Sequence, residues 1–480
     1  MKVRSQTNRS NRRTRLLIPI LLAAALTSVS VLALPPRPPV PPAELTDEQI
    51  RSILRDRIDV AKKSVGIAAG IVDVFGLRVI AYGKPSQNSS QSLSSNSVFE
   101  IGSVTKVFTA TLLAVMAERG EVNLNDPISK YLPRSVKTPA RDGKEITLAH
   151  LSSQTSGLPR LPGNMAPKDQ TNPYADYSVE QMYAFLSGYT LTRDPGAQYL
   201  YSNLGVGLLG HILALRAGSD YESLVTTRIC QPLRMNSTRI KLTAEMQARL
   251  ATGHNQVLKP VANWDLPTLA GAGALRSTVA DLLKFVAANL EMLDSPLLAA
   301  MRNAHQPQHD TGTPGLEVGL GWHILKKFDT EIIWHNGGTG GYHSFVGFDK
   351  KKRKGVVVLS NSTNDIDDIG RHLLESQYPL AKVEAPKVRK AIKLDPKIFD
   401  AYAGEYQLAP NFVIKISRES DKLFAQATGQ SKFEIFGETE TDFFFDSVDA
   451  QITFIKDDKG QVTHLVLHQN RVDQQAKKIK

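Results

Sequence analysis

Two groups of β-rich segments stand far apart in this chain, near residues 65–74 and 77–82 and again near 319–325, 332–335, 342–348 and 355–360. Between them, to roughly residue 300, the pattern is mainly helical. Strands so distant bury their apolar faces by joining one sheet, with the intervening helices packed beside it. The predicted class for this region is therefore α+β. Residues 46–63 read as an amphipathic helix capped by Thr46, with Asp47 and Glu48 in its first turn. The next two β segments form a hairpin joined at Phe75-Gly76, and the polar stretch 86–97 is a surface loop. A helix runs from Ser103 to about Glu118, with Gly120 as its stop, and another around 366–377 closes the unit.

The pattern changes at Ala385-Pro386. A basic linker over 385–395 carries Lys387, Arg389, Lys390 and Lys393. Beyond it, short alternating strands are expected at 412–417, 423–427, 433–436, 443–445, 451–456 and 462–468, with a hairpin turn at Asp458-Lys459-Gly460. Residues 396–480 thus read as a small C-terminal β-barrel separate from the unit spanning 46–384.

The formal charge of +11 is concentrated at one end. Lys2, Arg4, Arg9, Arg12, Arg13 and Arg15 account for six of the 58 basic residues, leaving 52 against 47 acidic ones. That mild excess is not a nucleic-acid footprint. Behind the basic stretch come an apolar run over 16–26 and the small-residue site Val31-Leu32-Ala33. Together they predict a signal peptide over 1–33, with an uncleaved anchor as the alternative, although an 11-residue apolar core is short for a membrane span. Residues 34–45 form a Pro-rich linker, stiff and extended. The expectation is an exported protein, periplasmic or at the cell surface, touching the membrane only through an uncleaved N-terminal segment. Cys230 is the single cysteine, so no disulfide forms within the chain, and a buried, inert thiol is expected.

Three stretches carry chemistry. Ser103-Val104-Thr105-Lys106 is S-x-x-K. If Ser103 opens a helix, Lys106 lies one turn on along the same face, and the helix N-terminus favours negative charge developing on the serine oxygen. A serine hydroxyl needs such help to act as a nucleophile. Tyr201-Ser202-Asn203 follows, offering a phenol that nearby cations can help ionise and an amide to hold substrate. The third is His335-Asn336-Gly337-Gly338, a strand turning glycine-rich, against which a substrate backbone can lie. Singly these read as a helix cap, a packed tyrosine and a Gly-rich turn. In this order, about 100 and about 130 residues apart, they form a set.

That set resembles the class C β-lactamase-like serine hydrolases, a family that includes D-alanyl-D-alanine carboxypeptidases, penicillin-binding proteins and esterases. Further stretches are similar to it: Leu124-Asn125-Asp126-Pro127, Lys130-Tyr131-Leu132-Pro133, Thr155-Ser156-Gly157-Leu158-Pro159 and Gly271-Ala272-Gly273-Ala274-Leu275-Arg276-Ser277-Thr278. Leu161-Pro162-Gly163-Asn164-Met165 looks closest to the carboxypeptidase/endopeptidase subgroup, and the last 85 residues resemble a lipocalin-like β-domain. The resemblance implies a β-lactamase/transpeptidase-like domain, with an antiparallel sheet flanked by helices plus a helical cluster.

It further implies Ser103 as nucleophile, Lys106 as its partner, and Tyr201 as base in acylation and acid for the leaving amine. Asn203 would bind a substrate amide, and the amides of Ser103 and Gly338, beside Gly337, would hold the oxyanion. His335 stands where the family often has lysine. A histidine is only partly charged at pH 7, which favours a peptidase or esterase over a dedicated β-lactamase. The implied partner is a peptidoglycan stem peptide or a β-lactam, and no cofactor is implied. No metal is expected either: His305 and His309 have helical spacing, but Pro307 separates them and no H-E-x-x-H occurs. Rival readings are a β-lactamase, an esterase, and a non-catalytic penicillin-binding or sensing protein whose working part is the barrel.

Overall fold

The computed structural model describes residues 44–480 except 388, 410–411, 429–431, 447 and 470–471. The expected signal peptide and residues 34–43 of the Pro-rich linker lie outside the described residues.

The separated β segments meet in one sheet. Its strands are β1 (Gly66–Asp73), β2 (Gly76–Gly83), β3 (His309–Asp310), β4 (Leu316–Val318), β5 (His323–Lys327), β6 (Thr330–Gly338), β7 (His343–Asp349) and β8 (Lys354–Ser360). They lie in the order β2-β1-β8-β7-β6-β5-β4-β3, each antiparallel to its neighbour. The junction is β1 with β8, where Ile67 faces Ser360 and Val72 faces Gly355.

Both faces of this sheet are covered, which explains why its central strands read as unbroken apolar runs. Val357 and Leu359 of β8 join the core shared with α2 (Thr105–Glu118), α3 (Asn203–Ala217) and α4 (Val279–Asn289). Val356 and Val358, on the other face, pack with Ile50 and Leu54 of α1 (Asp47–Arg55) and with Ile369 and Leu373 of α5 (Asp367–Leu374). The α1 helix starts with the Thr46–Gln49 capping box but ends sooner than the sequence pattern implied, continuing over Asp56–Val60 as a π-helical turn. That turn carries Arg57 to Asp368 of α5, Nη2 to Oδ2 at 2.5 Å. The α2 helix is buried on nearly all sides, so it reads as mainly apolar, with Lys106 its one buried charge.

Residues 404–478 close an antiparallel barrel of eight strands, β9 (Gly404–Ala409), β10 (Phe412–Glu419), β11 (Lys422–Ala427), β12 (Lys432–Gly437), β13 (Asp442–Phe445), β14 (Ala450–Lys456), β15 (Val462–Gln469) and β16 (Val472–Lys478). Six match the expected segments. The other two, β9 and β16, pair with each other and close the barrel. β16 reads as polar, with Ala476 its one buried side chain among the described residues, so alternation was not visible there. The interior is filled rather than hollow. Tyr402, Tyr406, Phe443 and Phe454 are all buried within it, and Tyr402 stacks on Phe454 at 4.3 Å. One barrel loop touches the hydrolase-like unit: Asp449 pairs with Lys63 at 2.9 Å and Asp446 with Lys259 at 2.7 Å.

Candidate active site

Ser103 sits in a short 3-10 turn, Gly102–Val104, that leads into α2. The helix proper thus begins at Thr105, two residues later than the sequence placed it, yet Lys106 still lies one turn on. Its Nζ is 2.9 Å from Ser103 Oγ, 2.9 Å from Asn203 Oδ1 and 2.6 Å from the Ala272 carbonyl. Lys106 is fully buried, and that burial, with the Arg160 charge adding to it, holds its amine well below the usual lysine range. Both carbonyl oxygens can only accept, so they take two N–H groups. A neutral amine then presents its lone pair to the remaining neighbour, the Ser103 hydroxyl, which is the geometry of a base taking a serine proton.

Asn203 and Tyr201 come to this point on the turn that starts α3. Ser202 caps that helix, its Oγ accepting from Gly205 N at 2.8 Å. The segment containing Thr155-Ser156-Gly157-Leu158-Pro159 braces the turn: Gln154 Oε1 accepts from Ser202 N at 2.7 Å, and the Arg160 carbonyl from Asn203 N at 3.0 Å. Ser103 is close enough to the Tyr201 hydroxyl to lower its pKa, and Lys106 Nζ lies 4.9 Å from the Tyr201 ring centre. The surroundings do not ease ionisation of this phenol as anticipated from its cationic neighbours. Burial raises its pKa, and Ser103 and the Arg160 charge oppose this only in part, so the phenol keeps its proton.

The glycine-rich end of β6 closes the site. A Cβ on Gly337 would lie 2.1 Å from the Ile101 carbonyl and 2.8 Å from Ser103 N, so only glycine lets the strand approach the nucleophile turn. Gly102, at φ +47°, is the matching glycine on the other side, where a Cβ would meet Gly338 N at 2.8 Å. Thr339 N donates to Tyr342 O at 3.1 Å. Ladder bonds fall on alternate pairs, so the Gly338 amide points away from β7, on the side of Ser103.

His335 is brought to the same place but differs from the expected half-charged group. It is 2% exposed, its ring centre 6.2 Å from that of Tyr201 and 5.0 Å from that of His323. Burial, then the neighbouring His323 and Lys106, lower its pKa well below the usual histidine value, so it is neutral at pH 7. Its Nδ1 lies 2.5 Å from the Asn336 carbonyl. A carbonyl only accepts, so Nδ1 carries the hydrogen and Nε2 is left as an acceptor. It therefore supplies neither a cation nor a free donor.

Several site residues had no sequence signal of their own. Tyr174 lies near Asn203, which acts to lower its pKa, and Tyr199 Oη is hydrogen-bonded to His323 Nε2 at 3.0 Å. Burial is the main cause that lowers His323 to about 4. Arg160 lies over the Tyr201 ring, Cζ 5.1 Å from its centre. Glu100, three residues before Ser103, is buried and accepts from Asn263 Nδ2 at 2.9 Å, Trp264 N at 3.0 Å and Arg276 Nη2 at 3.2 Å. Asp367 accepts from Asn336 Nδ2 at 2.6 Å and pairs with His343 Nε2 at 3.0 Å. His343, Asp365 and Asp367 hold ligand-type atoms within 4.8 Å of one another. Burial works against charge on His343, but the Asp367 hydrogen bond and charge, the Asp365 charge and a Thr363 backbone bond together outweigh it and raise its pKa, which favours an ion pair over a metal site there. His305 is a buried core side chain bonded to Asn289 at 2.8 Å, and His309 stands on the edge strand β3, so these two form no ligand pair. Cys230 is buried and, chiefly through desolvation, its thiol is raised to about 12.

Both parts of the chain are similar to known proteins. The family model described as "Beta-lactamase" matches residues 51–376, and one described as "Domain of unknown function (DUF3471)" matches 388–480. The chain is 30% identical to the D-alanyl-D-alanine-carboxypeptidase/endopeptidase AmpH of Escherichia coli K12, over 72% of this chain and 91% of that protein. It is 27% identical to a beta-lactamase of Pseudomonas fluorescens, over 66% of this chain and 93% of the relative. The crystal structure of a beta-lactamase/D-alanine carboxypeptidase from Pseudomonas syringae superposes with a TM-score of 0.61 at 22% identity, covering 70% of this chain and 99% of that one.

Proposed function

The chain belongs to the beta-lactamase family, and on that premise we propose that it is a serine-type D-alanyl-D-alanine carboxypeptidase/endopeptidase working on peptidoglycan stem peptides through an acyl-enzyme. The observation that carries this reading is the buried Lys106 amine, two of whose positions are taken by carbonyl oxygens while the third meets Ser103 Oγ at 2.9 Å.

In this mechanism Lys106 takes the Ser103 proton as Oγ attacks the peptide carbonyl. The Ser103 and Gly338 amides hold the oxyanion. Tyr201, its phenol protonated, gives its proton to the departing amine, and the proton that Lys106 took from Ser103 then passes from the lysine to the Tyr201 phenolate, restoring both groups. Water then releases the acyl group. A peptidase is supported by the 30% identity to a carboxypeptidase/endopeptidase and by a neutral His335 where the family often has lysine. A β-lactamase is the second reading, favoured by the 27% identity to one over 93% of its length. We further propose that the enzyme is exported, on the strength of its basic and apolar segments before residue 34.

The test is intact mass and product analysis after incubation with penicillin, nitrocefin and a stem peptide ending in D-Ala-D-Ala. Release of D-alanine and a long-lived penicilloyl adduct, lost in Ser103→Ala, are expected. Rapid nitrocefin turnover without D-alanine release would replace the peptidase by the β-lactamase, and hydrolysis of p-nitrophenyl esters alone would make it an esterase. No adduct and no ester hydrolysis would leave a non-catalytic binder.

A further inference from the structure

The site has an unusual distribution of charge. His335 and His323 are neutral, and burial drives Lys106 toward its neutral form. None of the three is a fixed positive charge for an anionic substrate. Arg160 differs from all of them. It follows Leu158-Pro159 on the loop that braces the Tyr201 turn, and its own carbonyl accepts from Asn203 N and Leu204 N at 3.0 and 3.2 Å, so its backbone is tied to the site. Its guanidinium lies 5.1 Å from the Tyr201 ring centre, while the side chain is solvent-exposed. Among the described residues it makes no ion pair, although ten other arginines here do. A guanidinium over an aromatic ring and without an ion-pair partner has N–H donors to offer, and these suit a carboxylate.

We infer that Arg160 is the specificity-determining cation of this site, receiving a carboxylate of the substrate as it docks against Tyr201. The inference rests on the peptidase reading and deepens it by naming the substrate class as an anionic peptide. Two carboxylates could take this place: the one at the C-terminus of the leaving residue, or one on a side chain of the acyl donor.

Binding separates this idea from the reading it rests on. The full chain carrying Ser103→Ala is titrated calorimetrically with an acetylated peptide ending in D-Ala-D-Ala, with its terminal carboxamide, and with a peptide whose acyl-side carboxylate is replaced by an amide. One carboxylate-to-amide change is expected to weaken binding about 10- to 100-fold. Which one does so identifies the source. Adding Arg160→Gln should abolish that discrimination, and Arg160→Lys should restore part of it. In the enzyme with Ser103 intact, Arg160→Gln should raise KM for the carboxylate substrate at least about 10-fold more than it raises KM for an uncharged p-nitrophenyl ester. Equal affinity for all three peptides, or none for any, would overturn the inference. So would an Arg160→Gln effect that falls equally on charged and neutral substrates through kcat, which would mean that the arginine acts only by tuning Tyr201. Failure of the unmodified protein to release D-alanine, with the binding preference intact, would instead overturn the peptidase reading alone.

Discussion

Asn203 Oδ1 lies 2.9 Å from Lys106 Nζ, joining two residues 97 positions apart at the centre of the site. The amide holds the amine beside Ser103 without favouring its charged form as a carboxylate would. Asn203→Asp therefore places a negative charge where the lysine is buried, which raises the lysine pKa. Less of the amine is then neutral at pH 7, so penicillin acylation should fall at least 10-fold and recover as pH rises. The acylation rate measured from pH 6 to 10 checks this, through an acid limb displaced to higher pH in the variant.

Tyr201 enters the reaction as an acid, because burial keeps its proton on. Tyr201→Phe should lower kcat/KM for a D-Ala-D-Ala peptide by about 10²- to 10⁴-fold, since an amine cannot leave without a proton. A p-nitrophenolate leaves without one, so hydrolysis of the ester should fall by less than about 10-fold. Parallel kinetics on the two substrates give the comparison.

Adjacent glycines should respond differently. A methyl on Gly337 collides with Ile101 O at 2.1 Å, whereas one on Gly338 meets only Tyr342 O, at 3.9 Å. Gly337→Ala should cost about 1–3 kcal/mol of stability and most penicillin labelling, because the strand must move away from Ser103. Gly338→Ala keeps its amide and should retain both. Thermal melts and labelling of the pair decide it.

The Arg57–Asp368 pair fastens α1 to α5 with both side chains largely removed from solvent. Burial alone would raise the Asp368 pKa, but the Arg57 hydrogen bond and charge outweigh it and hold the carboxyl below its usual range. A depressed carboxyl contributes stability above its unfolded value near 4, lost as pH falls through the folded value. Asp368→Asn should destabilise the protein by about 3–5 kcal/mol at pH 7 by leaving Arg57 buried without its counter-charge. The deficit should shrink below pH 4, which denaturant titrations at pH 7 and pH 3 would reveal.

Much of this architecture was legible in the residues themselves. The hairpin of β1 and β2, the helix beginning near Ser103, and six of the eight barrel strands carry their period or turn chemistry locally. β16 escaped notice because nearly all its side chains face solvent, and it is a strand only because β9 and β15 pair with it. The early end of α1 escaped for a related reason: the π-helical turn serves the Arg57 contact with a residue far along the chain.

From the order of residues alone came the class of the fold, the division into a hydrolase-like unit and a barrel, and the set Ser103, Lys106, Tyr201, Asn203 and His335. Each is a matter of short-range pattern or chain order. The tertiary structure decided the charge states of Lys106, His335 and Tyr201, the fit of Gly337 against Ile101, and the placing of Arg160 over Tyr201. Protonation and reach depend on what burial removes from water and on which distant side chains then face one another, and neither quantity exists until the chain has folded.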